Sequence, residues 1–224
     1  MNGFIHSNRM NPPIAPAVEP AAQPDALAAL RAATDSRHTL LDSGLPIGAP
    51  DASIGDYVAH LSMLRAWLAP LADWLARFSD GPQAGHAPDS RLDMDAWLRA
   101  RLALIDADLR EAGIDPSALP AALPAALCAP WPAQADAAYR WGVCYVVEGS
   151  QLGGAVLYGR LHERLAPHPL RYLKGDGIGP GPRWRLFMQA LRAHVRTPAE
   201  IDDACLGACD AFDRILATRA HLRA

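Results

Sequence analysis

The apolar residues of the chain recur at helical spacing over several long segments, which are separated by stretches rich in Pro and Gly. The first segment predicts a helix that begins at Asp25, a favourable N-cap residue, and ends at Ser43-Gly44. The next predicts a helix that begins at Ser53, because Asp56 lies three residues later, as in a capping box. We expect each helix to bury one apolar face.

The later segments extend this pattern to the end of the chain. Further helices are predicted over residues 89–112 and 182–196, and a last helix follows the capping box that begins at Thr197. Residues 1–24 are rich in Pro and Ala and contain few large apolar side chains, so they predict a disordered tail. Few stretches alternate in the manner of strands. The chain therefore predicts an all-α fold, with one multi-helix domain over residues 25–224.

One predicted helix, between Asp136 and Leu165, is unusual because it is apolar, free of Pro and yet rich in glycine. Each Gly in a helix interior costs roughly 1 kcal/mol relative to Ala. At 100° per residue, the first, second and third glycines lie on one face, which forms a groove of bare backbone. Either a neighbouring helix or a flat ligand can fill such a groove, and the pattern alone favours the helix. The glycines are Gly142, Gly149, Gly153, Gly154 and Gly159.

The composition of the chain limits the classes of partner that this helical protein can bind. The net charge of −3 and a pI near 6.2 argue against a nucleic-acid backbone as the main partner. No apolar stretch is long enough to span a membrane, and the N-terminal residues lack the apolar core of a signal peptide. The four cysteines form no CxxC pair. We expect a cytoplasmic protein that binds neither nucleic acid nor membrane.

The first predicted helix contains a candidate metal ligand, His38. Asp42 lies one turn further on the same face, where its carboxylate can accept the second imidazole N–H. Arg31 lies seven residues before His38, roughly 10 Å along the same face, where it could meet an anionic group at the edge of a ligand. The alternative is a surface histidine between two solvated charges. Both interpretations stay open on these residues alone.

A basic cluster on the penultimate helix is the other candidate for anion binding. Its residues could surround an anion or form a solvated face, and the solvated face is favoured when the cluster is considered alone. Two other histidines, His60 and His162, indicate no particular chemistry. The cluster consists of Trp184, Arg185, Arg192, His194 and Arg196.

Three motifs in this order resemble the bacterial haem oxygenases, in particular the branch associated with bacterial phytochromes. They are LRAATDSRHTLLD at 30–42, YVVEGSQLGGAVLYGRL at 145–161 and GPRWRLFMQAL at 181–191. The resemblance covers residues 25–221, and the middle motif is the most specific. It implies an all-α fold in which haem lies between a proximal and a distal helix.

The resemblance also implies a role for each matching residue. His38 would be the proximal iron ligand, steadied by Asp42. Gly149 and Gly153 would place the distal-helix backbone against the porphyrin face, and with Ser150 they would form the catalytic set. Gly142 would be a packing glycine. Three further residues would bind the haem, the two arginines at its propionates: Arg31, Tyr145 and Arg192.

The implied activity is the oxidative cleavage of haem, which is both substrate and cofactor, to biliverdin, carbon monoxide and ferrous iron. It requires O2 and electrons from a separate reductase, such as a ferredoxin or a flavoprotein, and the bilin would supply a phytochrome. The chain departs from many members at Ser150, where they have an Asp that organises a water. Either other waters or groups such as Arg140 or Glu148 substitute for that Asp, or the chemistry is slowed. A non-catalytic haem-binding protein and a helical partner-binding module are the alternatives.

Overall fold

The computed structural model describes residues 25–83, 92–120, 123–124, 129–175 and 179–222. Within these ranges the chain forms seven α-helices and contains no strand, which confirms the predicted all-α class. The predicted disordered tail, residues 1–24, lies outside the described residues. The helices are α1 (Ala26–Ser43), α2 (Ile54–Leu75), α3 (Met94–Glu111), α4 (Ala137–Leu161), α5 (Arg171–Lys174), α6 (Gly181–His194) and α7 (Pro198–Leu222).

The predicted helix starts follow from local capping chemistry. Asp25 accepts a hydrogen bond from the backbone N–H of Leu27 at 3.0 Å, which caps α1. Ser53 and Asp56 form a reciprocal capping box at α2. Glu200 likewise accepts from the backbone N–H of Thr197 at 2.9 Å at the start of α7. These three predicted starts are confirmed.

One predicted boundary is wrong, and one short helix is not predicted. The third helix begins at Met94 rather than at residue 89, because Asp93 provides the N-cap by accepting from the backbone N–H of Ala96. The stretch rich in Gly and Pro that follows α4 contains the short helix α5, which follows Leu170 in the left-handed region at φ 48°. This short helix contributes Tyr172 to the lining of a cavity.

Helix α4 is the centre of the packing and contacts α5, α6 and α7, while α7 also packs on α1 and α2. The backbones of α4 and α7 approach closely at two glycines. A Cβ at Gly142 would overlap the carbonyl group of Ala204, and a Cβ at Gly207 would overlap that of Tyr139. Gly142 is therefore a packing glycine, as predicted.

Polar contacts fix α1 against α7 and so hold the helix that carries His38. Arg37 and Asp213 form an ion pair at 2.7 Å, and Arg219 donates to the backbone oxygen of Leu40 at 2.7 Å near the end of α1. Such contacts satisfy carbonyl groups that a helix end leaves without a partner. None of the helices within the described ranges has the length and apolarity needed to cross a membrane.

Candidate functional site

A cavity of about 460 Å³ lies between α1 and α4, with further walls from α2, α5, α6 and α7. Small-molecule sites typically measure roughly 300–1,000 Å³ and have mostly apolar walls with a few placed polar groups. This cavity fits that description. It contains His38 and Asp42 on one side and the glycines of α4 on another.

His38 and Asp42 form a pair at the α1 wall of the cavity. The His38 Nδ1 lies 3.2 Å from the Asp42 Oδ2, and both side chains are 64% exposed. Because Nδ1 contacts the carboxylate, Nε2 is the ring nitrogen left to bind a metal. The edge of the His38 ring also packs against Phe212 of α7, with centroids 5.9 Å apart. The pair thus has the arrangement that the sequence predicted.

The α4 wall presents bare backbone over one turn. A Cβ at Gly153 would meet nothing within 4 Å, and a Cβ at Gly149 would meet only the indole of Trp184 at 3.8 Å. Gly154 lies near Leu173 in the same way, at 3.7 Å. No protein contact within the described ranges therefore requires glycine at Gly149 or Gly153, although both line the cavity. A ligand against this surface is a physical reason for their presence.

Large apolar side chains beside these glycines are exposed. Val156 is 63% and Leu152 is 37% exposed, and both line the cavity. A flat apolar ligand would cover them, which would remove apolar surface from water. This wall of the cavity is therefore suited to the apolar face of a flat ligand.

Arg31 and Tyr145 meet beside the cavity, where α1 approaches α4. Burial raises the pKa of the Tyr145 phenol, while the charge of Arg31 and its hydrogen bond to the phenol partly oppose that rise. The ring of Tyr145 packs on Trp184, with centroids 5.6 Å apart. Tyr145 and Trp184 line the cavity, whereas Arg31 and Arg192 are exposed and lie outside its lining.

His60 of α2 belongs to no recognisable motif in the sequence, yet it lines the cavity. Burial lowers its pKa to about 4, so the ring is neutral near pH 7. Its Nδ1 has no hydrogen-bond partner within the described part of the chain. Met63, Leu64 and Trp67 follow at helical spacing on the same wall. That spacing was the available signal for a cavity-facing His60.

Arg140 and Glu148 are not the polar groups that compensate for Ser150. Arg140 pairs with Asp80 at 2.7 Å, and Glu148 pairs with Arg183 at 2.6 Å. Both are buried and neither lines the cavity. Burial raises the pKa of Glu148, and the nearby charge of Arg183 partly offsets this rise. Both residues join neighbouring elements, so of the alternatives at Ser150 other waters or slower chemistry remain.

A family model described as heme oxygenase matches residues 25–217. The chain belongs to the haem oxygenase family. A protein of Xanthomonas campestris pv. campestris (strain 8004), described as a heme oxygenase, is 32% identical over 152 residues. The match covers 66% of this chain and 77% of that relative. As a haem oxygenase, the protein is an enzyme that degrades haem.

The fold of this haem oxygenase agrees with a solved member of the family. The NO- and CO-bound heme oxygenase from Neisseria meningitidis superposes with a TM-score of 0.63 at 20% identity. The likeness covers 88% of this chain and 91% of that structure. The cavity residues fit the substrate of the family, because a metal porphyrin needs a neutral imidazole nitrogen, a flat apolar slot and a close approach of backbone.

Proposed function

We propose that the protein cleaves haem to biliverdin, carbon monoxide and ferrous iron, using O2 and electrons from an external reductase. One observation carries this proposal. The His38–Asp42 pair and the bare backbone at Gly149 and Gly153 are walls of a single cavity, although they come from separate helices. An axial ligand and an open face on the same cavity are the two features that haem chemistry requires.

His38 holds the substrate by its iron through Nε2. The Asp42 carboxylate lies 3.2 Å from Nδ1 and would accept the N–H of Nδ1, which would fix the tautomer and the ring orientation and raise the basicity of Nε2. The contact between His38 and Phe212 restricts the ring further. The imidazole is thereby prepared for coordination before the substrate arrives.

Gly149 and Gly153 let the ring of the substrate lie close to the α4 backbone. Any side chain at either position would project into the space that the ligand uses. Trp184 borders this space and limits how far the ring can move towards α6. Bound haem supplies the iron at which dioxygen is reduced, and the chain supplies seating, orientation and exclusion of water.

The carboxylates of the substrate have donors at the edge of the cavity. Tyr145 offers a phenol and Arg31 a guanidinium, and the charge of Arg31 acts on the phenol. Arg192, in the last turn of α6, is a further cation for a propionate that extends out of the cavity. Substrate binding would then replace or extend the Arg31–Tyr145 contact.

We further propose a cytoplasmic enzyme that receives electrons from a ferredoxin or flavoprotein and supplies bilin to a bacterial phytochrome. The motifs at 30–42, 145–161 and 181–191 support the phytochrome link through their resemblance to that branch of the family. Covalent attachment of the product to an added phytochrome apoprotein, seen as a red-shifted absorption band, would test it.

The test of the activity is a haemin titration followed by turnover. We expect a Soret band at equimolar haemin and, after reductant and O2 are added, loss of that band with the rise of biliverdin absorbance. His38→Ala should lose the histidine-ligated spectrum and at least 100-fold in turnover, on the order expected for loss of an iron ligand. His162→Ala, an exposed histidine at the end of α4, is the matched control and should behave as wild type.

The second candidate is a haem-binding protein that does not cleave its ligand, and Ser150 is the observation that favours it. A serine hydroxyl cannot supply the negative charge of a carboxylate, and here it donates to the backbone oxygen of Val147 at 2.6 Å. A single-turnover measurement separates the two candidates. A stable Soret band under reductant and O2, without biliverdin, selects the non-catalytic role.

A further inference from the structure

A short hydrogen-bonded chain links α4 to α5 along the cavity wall beside the glycines. The amide nitrogen of Gln151 donates to the hydroxyl oxygen of Ser150 at 3.0 Å and to the phenolic oxygen of Tyr172 at 3.2 Å. The Ser150 hydroxyl in turn donates to the backbone oxygen of Val147. Ser150 and Tyr172 both line the cavity, so the chain runs along its surface.

The direction of these hydrogen bonds leaves one donor unused. An amide NH2 group has two protons, and Gln151 directs one to each oxygen. The Ser150 proton goes to a backbone carbonyl, so the oxygens of Ser150 and Tyr172 act as acceptors from Gln151. The phenolic proton of Tyr172 has no acceptor within the described ranges. Because Tyr172 is only 3% exposed, bulk water is a poor substitute.

The backbone of Tyr172 is fixed on both sides, which makes its phenol a rigid group. The buried carboxylate of Asp108 accepts from the Tyr172 backbone N–H at 2.9 Å and from the hydroxyl of Tyr57 at 2.7 Å. The guanidinium of Arg101 donates to the Tyr172 backbone oxygen and lies 4.1 Å from the centre of its ring. Two residues of α3 therefore hold Tyr172 in place, and Tyr57 of α2 supports one of them, Asp108.

On the basis of the proposed function, we propose that Tyr172 is the hydrogen-bond donor that the cavity presents to the small oxygen-bearing ligand of the iron, dioxygen or water. Gln151 is the positioning residue, because its amide occupies the phenolic oxygen as an acceptor and so turns the phenolic proton towards the cavity. Pre-oriented donors of this kind stabilise charge that develops on a bound ligand without the cost of reorganisation. The neutral Gln151–Tyr172 pair lies beside Ser150 on the same wall of the cavity.

The test measures the ferrous haem complex rather than turnover. Tyr172→Phe removes only the hydroxyl, so we expect unchanged haem affinity, a dioxygen dissociation rate raised about tenfold and a C–O stretching band of the carbon monoxide complex at higher wavenumber. Gln151→Met keeps the size of the side chain but removes its donors, and should give a smaller rise of about threefold. Tyr158→Phe alters a tyrosine outside the cavity lining and is the control.

The outcomes separate this assignment from the proposed function. If wild-type protein binds and cleaves haem while Tyr172→Phe leaves both the dissociation rate and the C–O band unchanged, the Tyr172 assignment is overturned and the activity stands. If Gln151→Met matches wild type while Tyr172→Phe does not, the positioning role of Gln151 is overturned. If wild-type protein binds no haem, both the proposed function and the assignment fall.

Discussion

The two halves of α4 contain the same residue, glycine, in two different environments. In the first half, up to Glu148, most residues are buried, and Gly142 lies directly under the carbonyl group of Ala204. In the second half, from Gly149 to Arg160, no residue is fully buried, and Gly153 faces open space. The first half needs glycine for the fold, whereas no described protein contact requires glycine in the second half, where we propose that a ligand lies.

This difference shows how one helix can join a stable core to a binding surface. Gly142, Gly149 and Gly153 lie on one face of α4, because they are separated by seven and four residues. The first packs against α7, and the other two line the cavity. The spacing of small residues by itself therefore does not show whether they serve helix packing or ligand binding. The atoms opposite each glycine distinguish the two roles.

Gly142→Ala should have the largest effect on stability. The new methyl group would overlap the backbone of Ala204, which cannot turn aside as a side chain can, so we expect the free energy of unfolding to fall by about 3 kcal/mol, the upper range for overpacked sites. Urea unfolding followed by circular dichroism measures this change. A neutral result would mean that α4 and α7 lie further apart than described.

Lowering the pH should reduce the free energy of unfolding by less than Gly142→Ala does. The size of this change tests how well the cavity opposite the second half of α4 is shielded from water. The pKa of His60 is about 4 in the folded protein, against 6.5 for an ordinary histidine. Between these values the unfolded chain binds a proton that the folded chain does not, so stability falls as the pH decreases. Allowing for partial exposure, we expect a loss of about 2 kcal/mol from pH 7 to pH 4.5 through this residue.

His60→Leu should remove that part of the pH dependence, measured as the difference between the two unfolding free energies. His162→Leu, on the surface, should keep it. Equal pH dependence in wild type and His60→Leu would show that water reaches the ring and that its pKa is ordinary.

Gly153→Ala should have the smallest effect on the fold and the opposite sign to Gly142→Ala. With open space at this position, the better helix propensity of Ala should raise the free energy of unfolding by about 0.5–1 kcal/mol. Haem affinity should nevertheless fall about tenfold, because the methyl group intrudes between ligand and backbone; this equals about 1.4 kcal/mol. Unchanged affinity would place the haem away from Gly153.

The sequence predicts the features of this protein that depend on local chemistry. Caps at Asp25, Ser53 and Thr197 define helix starts, because the capping side chain and its target lie within a few residues. The pairing of His38 with Asp42 is likewise a matter of one helical turn. These parts of the fold and the candidate site could be predicted without coordinates.

The remaining parts depend on contacts between distant segments. Helix α5 has only four residues and lies in a stretch rich in Gly and Pro, and the buried carboxylate of Asp108 holds it in place. Nothing in the local sequence places Tyr172 next to Gln151. The same holds for His60, whose lowered pKa arises from burial by other helices. Glu148 lies next to Gly149 in the sequence, yet in the fold it pairs with Arg183 outside the cavity lining.

The exposed apolar side chains of α4 have a consequence for the protein before it meets its substrate. Leu152 and Val156 line the cavity and are exposed, and such surface promotes self-association and gives proteases a less protected helix to attack. A ligand that binds only the folded chain stabilises it by mass action, by about 2.7 kcal/mol when its free concentration is a hundred times the Kd. The amount of intact protein in a cell would therefore follow the supply of the molecule that it consumes.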